Sequence, residues 1–309
     1  MDNVLQIATY FAYVFVTVAY TVKVWKYFKM PNSLRWDIYP IPHEGKKHGG
    51  SYMEEPEFWT EPQKKNTLAD IWDMAKKYLT MSGYFRRVRS YWLGLYPWHV
   101  GFYLIVLFHG LAFLGALLIE TADLEIGGSA GFGGQLLYYI TLVVAVGSFA
   151  LGTIGSIGML VKRLTDDDLK DYASPQNFFN YIFFLALFIS GLVVYFGTNG
   201  TFNEYREFWV GLITLDTVNV SGPEQVHILL FAIFLCYLPF TRSTHYITMP
   251  LYYFRVRWND KLNRGEPEDD NKLGQLLSQP VSWSAPHIQT GKNWGEIVAG
   301  MPEQEKGEK

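Results

Sequence analysis

An all-α membrane protein, a bundle of five transmembrane helices with its N-terminus outside and its C-terminus inside, is the fold class this sequence predicts. Three observations carry it. Of 309 residues, 49% are hydrophobic and 17% aromatic while only 18% are charged, a balance low in charge and rich in rings for a soluble domain. The apolar residues are gathered in five runs, each able to supply the roughly 20 helical residues that a hydrocarbon core of about 30 Å requires. The basic residues fall almost wholly on alternate sides of those runs, the pattern that orients membrane helices.

The runs cover residues 4–23, 98–119, 135–161, 177–197 and 225–249. The first has the length of a signal sequence, but Asp2 precedes it and Lys23, Lys26 and Lys29 follow it. That order of charges describes a retained helix that starts outside. With the N-terminus outside, the segments 120–134 and 198–224 become outer loops. Between them they hold a single basic residue, Arg206, of the 26 in the chain, and they carry Glu120, Asp123, Glu125, Glu204, Glu207, Asp216 and Glu224. Four regions follow: 1–29, the first membrane helix; 30–96, a cytoplasmic insertion; 97–250, a four-helix membrane core; and 251–309, a cytoplasmic extension. This places the chain in the cytoplasmic (inner) membrane as a multi-pass protein. Within the insertion, "LADIWDMAKKYL" repeats Leu68, Ile71, Trp72, Ala75 and Leu79 at helical spacing. Nothing in the charge pattern points to a nucleic-acid partner.

One cysteine, Cys236, excludes a disulfide framework, a thiolate zinc site, an iron–sulfur cluster held by this chain alone, and covalent haem attachment. The chemistry is in the histidines. His43, His48 and His287 lie in polar inner segments, but His99 and His109 fall in the second run and His227 and His245 in the fifth. A neutral imidazole in hydrocarbon needs a hydrogen-bond partner or a metal. On ideal helices His227 and His245 share a face about 27 Å apart along the axis, and His99 and His109 lie about 15 Å apart on one side. The second and fifth runs cross in opposite directions, so His109 is level with His227 toward the outside and His99 with His245 toward the inside. The spans differ by about 12 Å on these ideal numbers, a difference that a kink at Pro239 would reduce.

Two stacked histidine pairs on facing helices suit two b-type haems with bis-histidine ligation, a cofactor that bundles hold between neighbouring helices. Gly101, Gly110 and Gly115 in the second run, and Gly147, Gly152, Gly155 and Gly158 in the third, would let a macrocycle approach the backbone or let helices pack closely. Arg242 and the cluster Arg86, Arg87 and Arg89 are candidates to pair with propionates of the inner haem, or to anchor the inner surface. The motif HExxH and the clustered histidine boxes of di-iron hydroxylases are missing, and the apolar runs have almost no carboxylates of the kind a proton-coupled transporter uses.

The spacing H-x9-H in "HVGFYLIVLFH" and H-x17-H in "HILLFAIFLCYLPFTRSTH" resembles the gamma subunit family of respiratory nitrate reductases, five-helix dihaem cytochromes b. The resemblance implies an inner haem on His99 and His245, an outer haem on His109 and His227, and electron exchange with a membrane quinone such as menaquinone beside the outer haem. The inner segments "LRWDIYPIPHEGKKHGGSYMEEPEFW" and "VSWSAPHIQTGKNWGEIV" look like those of relatives found with heterodisulfide-reductase-like iron–sulfur proteins. That likeness implies a cytoplasmic iron–sulfur subunit as partner, within a complex that could hold further subunits. Trp36, Trp59, Trp258, Trp283 and Trp294 would then offer docking surface. Glu120 and Asp123 are the carboxylates expected to exchange protons with the quinone. A haem-free membrane anchor and a haem-based redox sensor are the rival readings.

Overall fold

The computed structural model describes residues 2–29, 66–198, 200–241, 244–250, 267–285, 288 and 291–300. Among them no β-strand occurs, and five helices are long and apolar enough to cross a membrane. His43, His48, His287, Arg242, Trp36, Trp59 and Trp258 lie outside the described residues.

The chain divides into two units. The first comprises residues 1–22 and 63–244 and holds the bundle. Its membrane helices are α1 (Asp2–Lys29, which continues past the unit boundary), α4 (Arg89–Ala122), α5 (Phe132–Thr165), α7 (Pro175–Gly197) and α9 (Gly222–Tyr237). Shorter helices α2 (Thr67–Thr80), α3 (Ser82–Arg87), α6 (Asp167–Asp171) and α8 (Asn203–Thr214) connect them. At 34 residues each, α4 and α5 are about 50 Å long, so both outrun a hydrocarbon core of about 30 Å. Val106, Val143, Ile154, Val193 and Phe196 face outward, as lipid-facing side chains do. A ring-rich core of Phe108, Phe149, Phe184, Phe188, Phe208 and Phe231 fills the inside.

Glycines set the contact between α4 and α5. A Cβ built on Gly101 would stand 2.5 Å from the Gly152 Cα, and one on Gly155 would stand 2.2 Å from the Trp98 backbone nitrogen. No side chain fits at these crossings, so the helices meet backbone to backbone, and the Ser148 hydroxyl donates across the seam to the Gly101 carbonyl at 2.8 Å. Gly158 meets Gly94 in the same way. Helix packing therefore accounts for Gly101, Gly152, Gly155 and Gly158. Gly110, by contrast, has nothing within 4 Å, and Gly115 lies beside the side chains of Ile126 and Arg206.

Two expectations need correction. The run 225–249 is not one helix: α9 stops at Tyr237, Leu238–Phe240 form a 3-10 turn, and Thr241 is extended. Pro239 supplies no N–H to the preceding turn and its ring crowds the carbonyl there, so the helix cannot continue. The straight-helix separation of His227 and His245 accordingly does not apply. The segment 198–224 is not a solvated loop either. It contains α8, whose Tyr205, Arg206, Phe208, Trp209 and Leu212 are buried. Helix α1 clasps α8 through Gln6 Nε2 donating to the Asp216 carbonyl, Tyr10 Oη donating to the Leu212 carbonyl, and Tyr13 set edge-on to Trp209.

Helix α2 forms where the periodicity predicts, with Asn66 Oδ1 accepting from the Ala69 N–H at its start. Its apolar residues Leu68, Ile71, Trp72 and Leu79 are nevertheless exposed. The second unit, residues 23–62 and 245–309, includes α10 (Pro267–Leu277) and α11 (Trp294–Ala299). Val281, Ile288 and Ile297 make a small core there with Trp294 packed against it, and Trp283 lies edge-on to Trp294.

Candidate functional site

His109 and His227 are both buried, at 6% and 1% exposure, in the end of the bundle covered by α8. His109 projects from α4 and His227 from α9. The Tyr205 ring of α8 lies against both, with centroids 5.5 Å from His109 and 6.3 Å from His227. Phe102 of α4 meets Phe234 of α9, while His109 stacks on Phe231 at 3.5 Å. Ascending α4 thus descends α9, the antiparallel register expected from the sequence.

Hydrogen bonds decide the state of each ring. His109 Nδ1 is 2.7 Å from the Ile105 carbonyl, which can only accept, so Nδ1 carries the proton. His227 Nδ1 is 2.8 Å from Ser190 Oγ on α7, and that hydroxyl spends its own hydrogen on the Leu187 carbonyl at 2.7 Å. The serine oxygen therefore accepts, and Nδ1 is protonated here too. Both Nε2 atoms are left with lone pairs, buried and without hydrogen-bond partners. An imidazole whose Nδ1–H is held by the protein and whose Nε2 is free is set up to ligate a metal.

Among the described residues no group of three or more His, Cys, Asp and Glu side chains converges to hold a metal ion. Two imidazoles alone match a cofactor that brings its own equatorial ligands. The pair fits b-type haem in donor type, tautomer and burial.

His99 is half-buried on α4, and its Nδ1 likewise lies 2.9 Å from a carbonyl one turn back, that of Leu95. Trp98 packs edge-on beside it. His245 belongs to the second unit, where residues 245–250 are helical, and it is exposed. Arg86 and Arg87 end α3 and Arg89 begins α4. All three are exposed, with the Arg89 guanidinium 5.0 Å from the centre of the Phe85 ring. Glu120 and Asp123 are exposed at the end of α4, where Asp123 caps the helix in the left-handed conformation at φ 51°.

A sequence model of the nitrate reductase gamma subunit family matches residues 72–261, more than half of the chain. The chain belongs to this family. Nitrate reductase gamma subunits are membrane cytochromes b that bind haem b and carry electrons within an oxidoreductase complex, and this family member is accordingly a multi-pass protein of the inner membrane. Neither a curated protein nor a solved structure matches it.

Sequence reasoning missed the α8 contribution to the gamma subunit fold. The signal was present in "NEYREFWVGLIT", where Tyr205, Phe208, Trp209 and Leu212 recur at helical spacing. Burial pushes the Tyr205 phenol well above its usual pKa, so it stays neutral, and burial lowers that of Arg206. Arg206 donates to Asn203 Oδ1 at 3.2 Å and faces the Tyr138 ring at 5.8 Å. Ser190, the partner of His227, and Phe149, set edge-on to His227 at 5.2 Å, had no sequence signal beyond lying in apolar runs.

Proposed function

We propose that this chain is a dihaem cytochrome b that passes electrons between a membrane quinone at the α8 end and a cytoplasmic iron–sulfur subunit at the opposite face. The observation that carries the reading is the pair of buried, unpartnered Nε2 atoms on His109 and His227. A lone pair in a dry, apolar interior costs free energy unless something binds it, and haem b, which this family binds, is the group assigned to these two in this reading. His109 and His227 hold the outer haem in this reading, and His99 and His245 the inner one. The inner pair rests on the H-x9-H and H-x17-H spacings, on the resemblance, and on the His99 tautomer.

Bound haem supplies a one-electron carrier whose potential is tuned by its ligands and their burial. The chain's own residues do the rest. The Ile105 carbonyl and Ser190 hold the imidazoles in the ligating tautomer, and Tyr205, Phe108, Phe149 and Phe231 keep water out. Arg86, Arg89 and Arg242 are assigned to the propionates of the inner haem, and Glu120 and Asp123 to proton transfer between the quinone and the outer surface. The basic residues of 30–96 and 251–309 support a cytoplasmic location for those segments. The heterodisulfide-reductase-like partner and menaquinone as the quinone follow from the resemblance of the inner segments and of the histidine spacing. Substituting His109 with Ala tests the reading. One of two low-spin b-type haems is lost and reduction by quinol stops. A variant that keeps both haems refutes the pairing.

A further inference from the structure

Glu224 is a carboxylate in an unusual place. It lies in the first turn of α9, is 1% exposed, and neither of its side-chain oxygens has a hydrogen-bond partner. An acidic residue near a helix N-terminus is favoured by the helix dipole, but that role uses solvated or capping carboxylates, and Glu224 caps nothing. It precedes His227 by three residues, which puts both side chains on one face of α9 about 4.5 Å apart along its axis. The titratable groups around it are few. Helix α8 brings Glu204 and Tyr205, both close enough to interact with it electrostatically. Helix α7 has no charged residue anywhere between Pro175 and Gly197. Arg206 of α8 faces Tyr138 and Glu207 instead. Glu204 is half-buried, and its Oε2 accepts the Ser221 N–H at 2.7 Å at the start of α9. A second, less buried carboxylate thus lies at the start of α9, near enough to Glu224 to interact with it.

We propose that Glu224 is the catalytic residue that exchanges protons with the quinone at the outer haem, and that Glu204 relays them to water. The proposal rests on the quinone reaction put forward above. For quinol oxidation, an O–H bond of the quinol breaks, its proton forms a new O–H bond on Glu224, and one electron leaves to a ferric haem iron. Glu224 then hands the proton to Glu204 and water, which restores its carboxylate for the second quinol O–H. The sum is one quinol and two ferric irons giving one quinone, two ferrous irons and two protons released. Quinone reduction runs the same steps in reverse. A buried carboxylate whose two oxygens have no hydrogen-bond partner suits this work, because both remain available to take a proton from a quinol O–H.

The test uses the full-length, haem-loaded protein in lipid nanodiscs, with menadiol as the quinol. Glu224→Gln keeps shape and removes the proton acceptor. Its haem content, dithionite-reduced spectrum and haem potentials at alkaline pH should match wild type. Haem reduction by menadiol should slow by at least about tenfold, the low end of what a positioned base contributes, and should lose its pH dependence, while Glu224→Asp recovers part of the rate. A Glu224→Gln variant reduced at the wild-type rate with the wild-type pH profile overturns the proposal. If wild type itself takes no electrons from menadiol, the quinone reading fails first and this inference with it. If Glu224→Gln loses haem, redox difference infrared spectra of wild type decide: a carboxyl C=O band that changes with haem reduction, and is lost in Glu224→Asp or shifted by it, supports Glu224, and no such band refutes it.

Discussion

Removing the hydroxyl of Ser190 tests the histidine chemistry most directly. In Ser190→Ala the His227 Nδ1–H loses its acceptor at 2.8 Å in a site where His227 is 1% exposed. A buried donor left unpaired costs about 1–3 kcal/mol, and a neutral hydrogen bond contributes about 0.5–1.5 kcal/mol net. Donation from Nδ1–H makes the imidazole a better electron donor at Nε2 and so favours the oxidised iron. If the lost bond favours the ferric state by about 0.5–1.5 kcal/mol, the midpoint potential of the outer haem rises by about 20–60 mV, since 59 mV corresponds to a tenfold change for one electron. The inner haem should not move. On the proposed dihaem reading, potentiometric titration followed in the α band separates the two haems, and Ser190→Thr, which retains a hydroxyl, should return the potential toward wild type. Two unchanged potentials, or equal shifts in both haems, would refute the tautomer and partner assigned to His227.

Other expectations follow from packing and charge. Gly101→Ala forces a Cβ to within 2.5 Å of the Gly152 Cα, so α4 and α5 must separate; overpacking of this kind costs about 1–3 kcal/mol, read as a lower Tm and weaker haem retention. Gly110→Ala on the same helix meets nothing within 4 Å and should leave Tm unchanged. Asp166 donates no proton but accepts from Lys162 at 3.1 Å and from the Leu169 N–H at 3.3 Å, which holds its pKa below the ordinary carboxylate value. Because the folded pKa is the lower one, the stability it contributes is present above the unfolded value of about 3.9 and is lost as pH falls through the folded value. Asp166→Ala should therefore melt slightly below wild type at neutral pH and converge with it in strong acid. Tyr205→Phe keeps the ring between His109 and His227 and should retain both haems, whereas Tyr205→Ala should lose or loosen the outer one in visible spectra.

The five membrane helices were legible in the sequence because hydrocarbon imposes a length and a composition that no neighbouring residue can override. The histidines were legible because an imidazole in an apolar run has few explanations, and their spacing on α4 is a local property of one helix. The break after Tyr237 was foreseen as a kink at Pro239, but its extent was not, since a proline dictates the loss of a hydrogen bond and leaves the rest to what packs around it. Helix α8 went unread because its charges, Glu204, Arg206 and Glu207, resemble a solvated loop, although Arg206 is buried along with Tyr205, Phe208, Trp209 and Leu212.

By itself the sequence determined the membrane class, the five spans and the presence of histidines within the apolar runs. Only the tertiary structure decided which ring nitrogen is free, that Ser190 holds His227, that glycines serve the α4–α5 contact, and that Glu224 is the carboxylate buried next to the site. Those are properties of contact between segments distant in the chain, and a buried lone pair or carboxylate acquires its chemistry from what surrounds it.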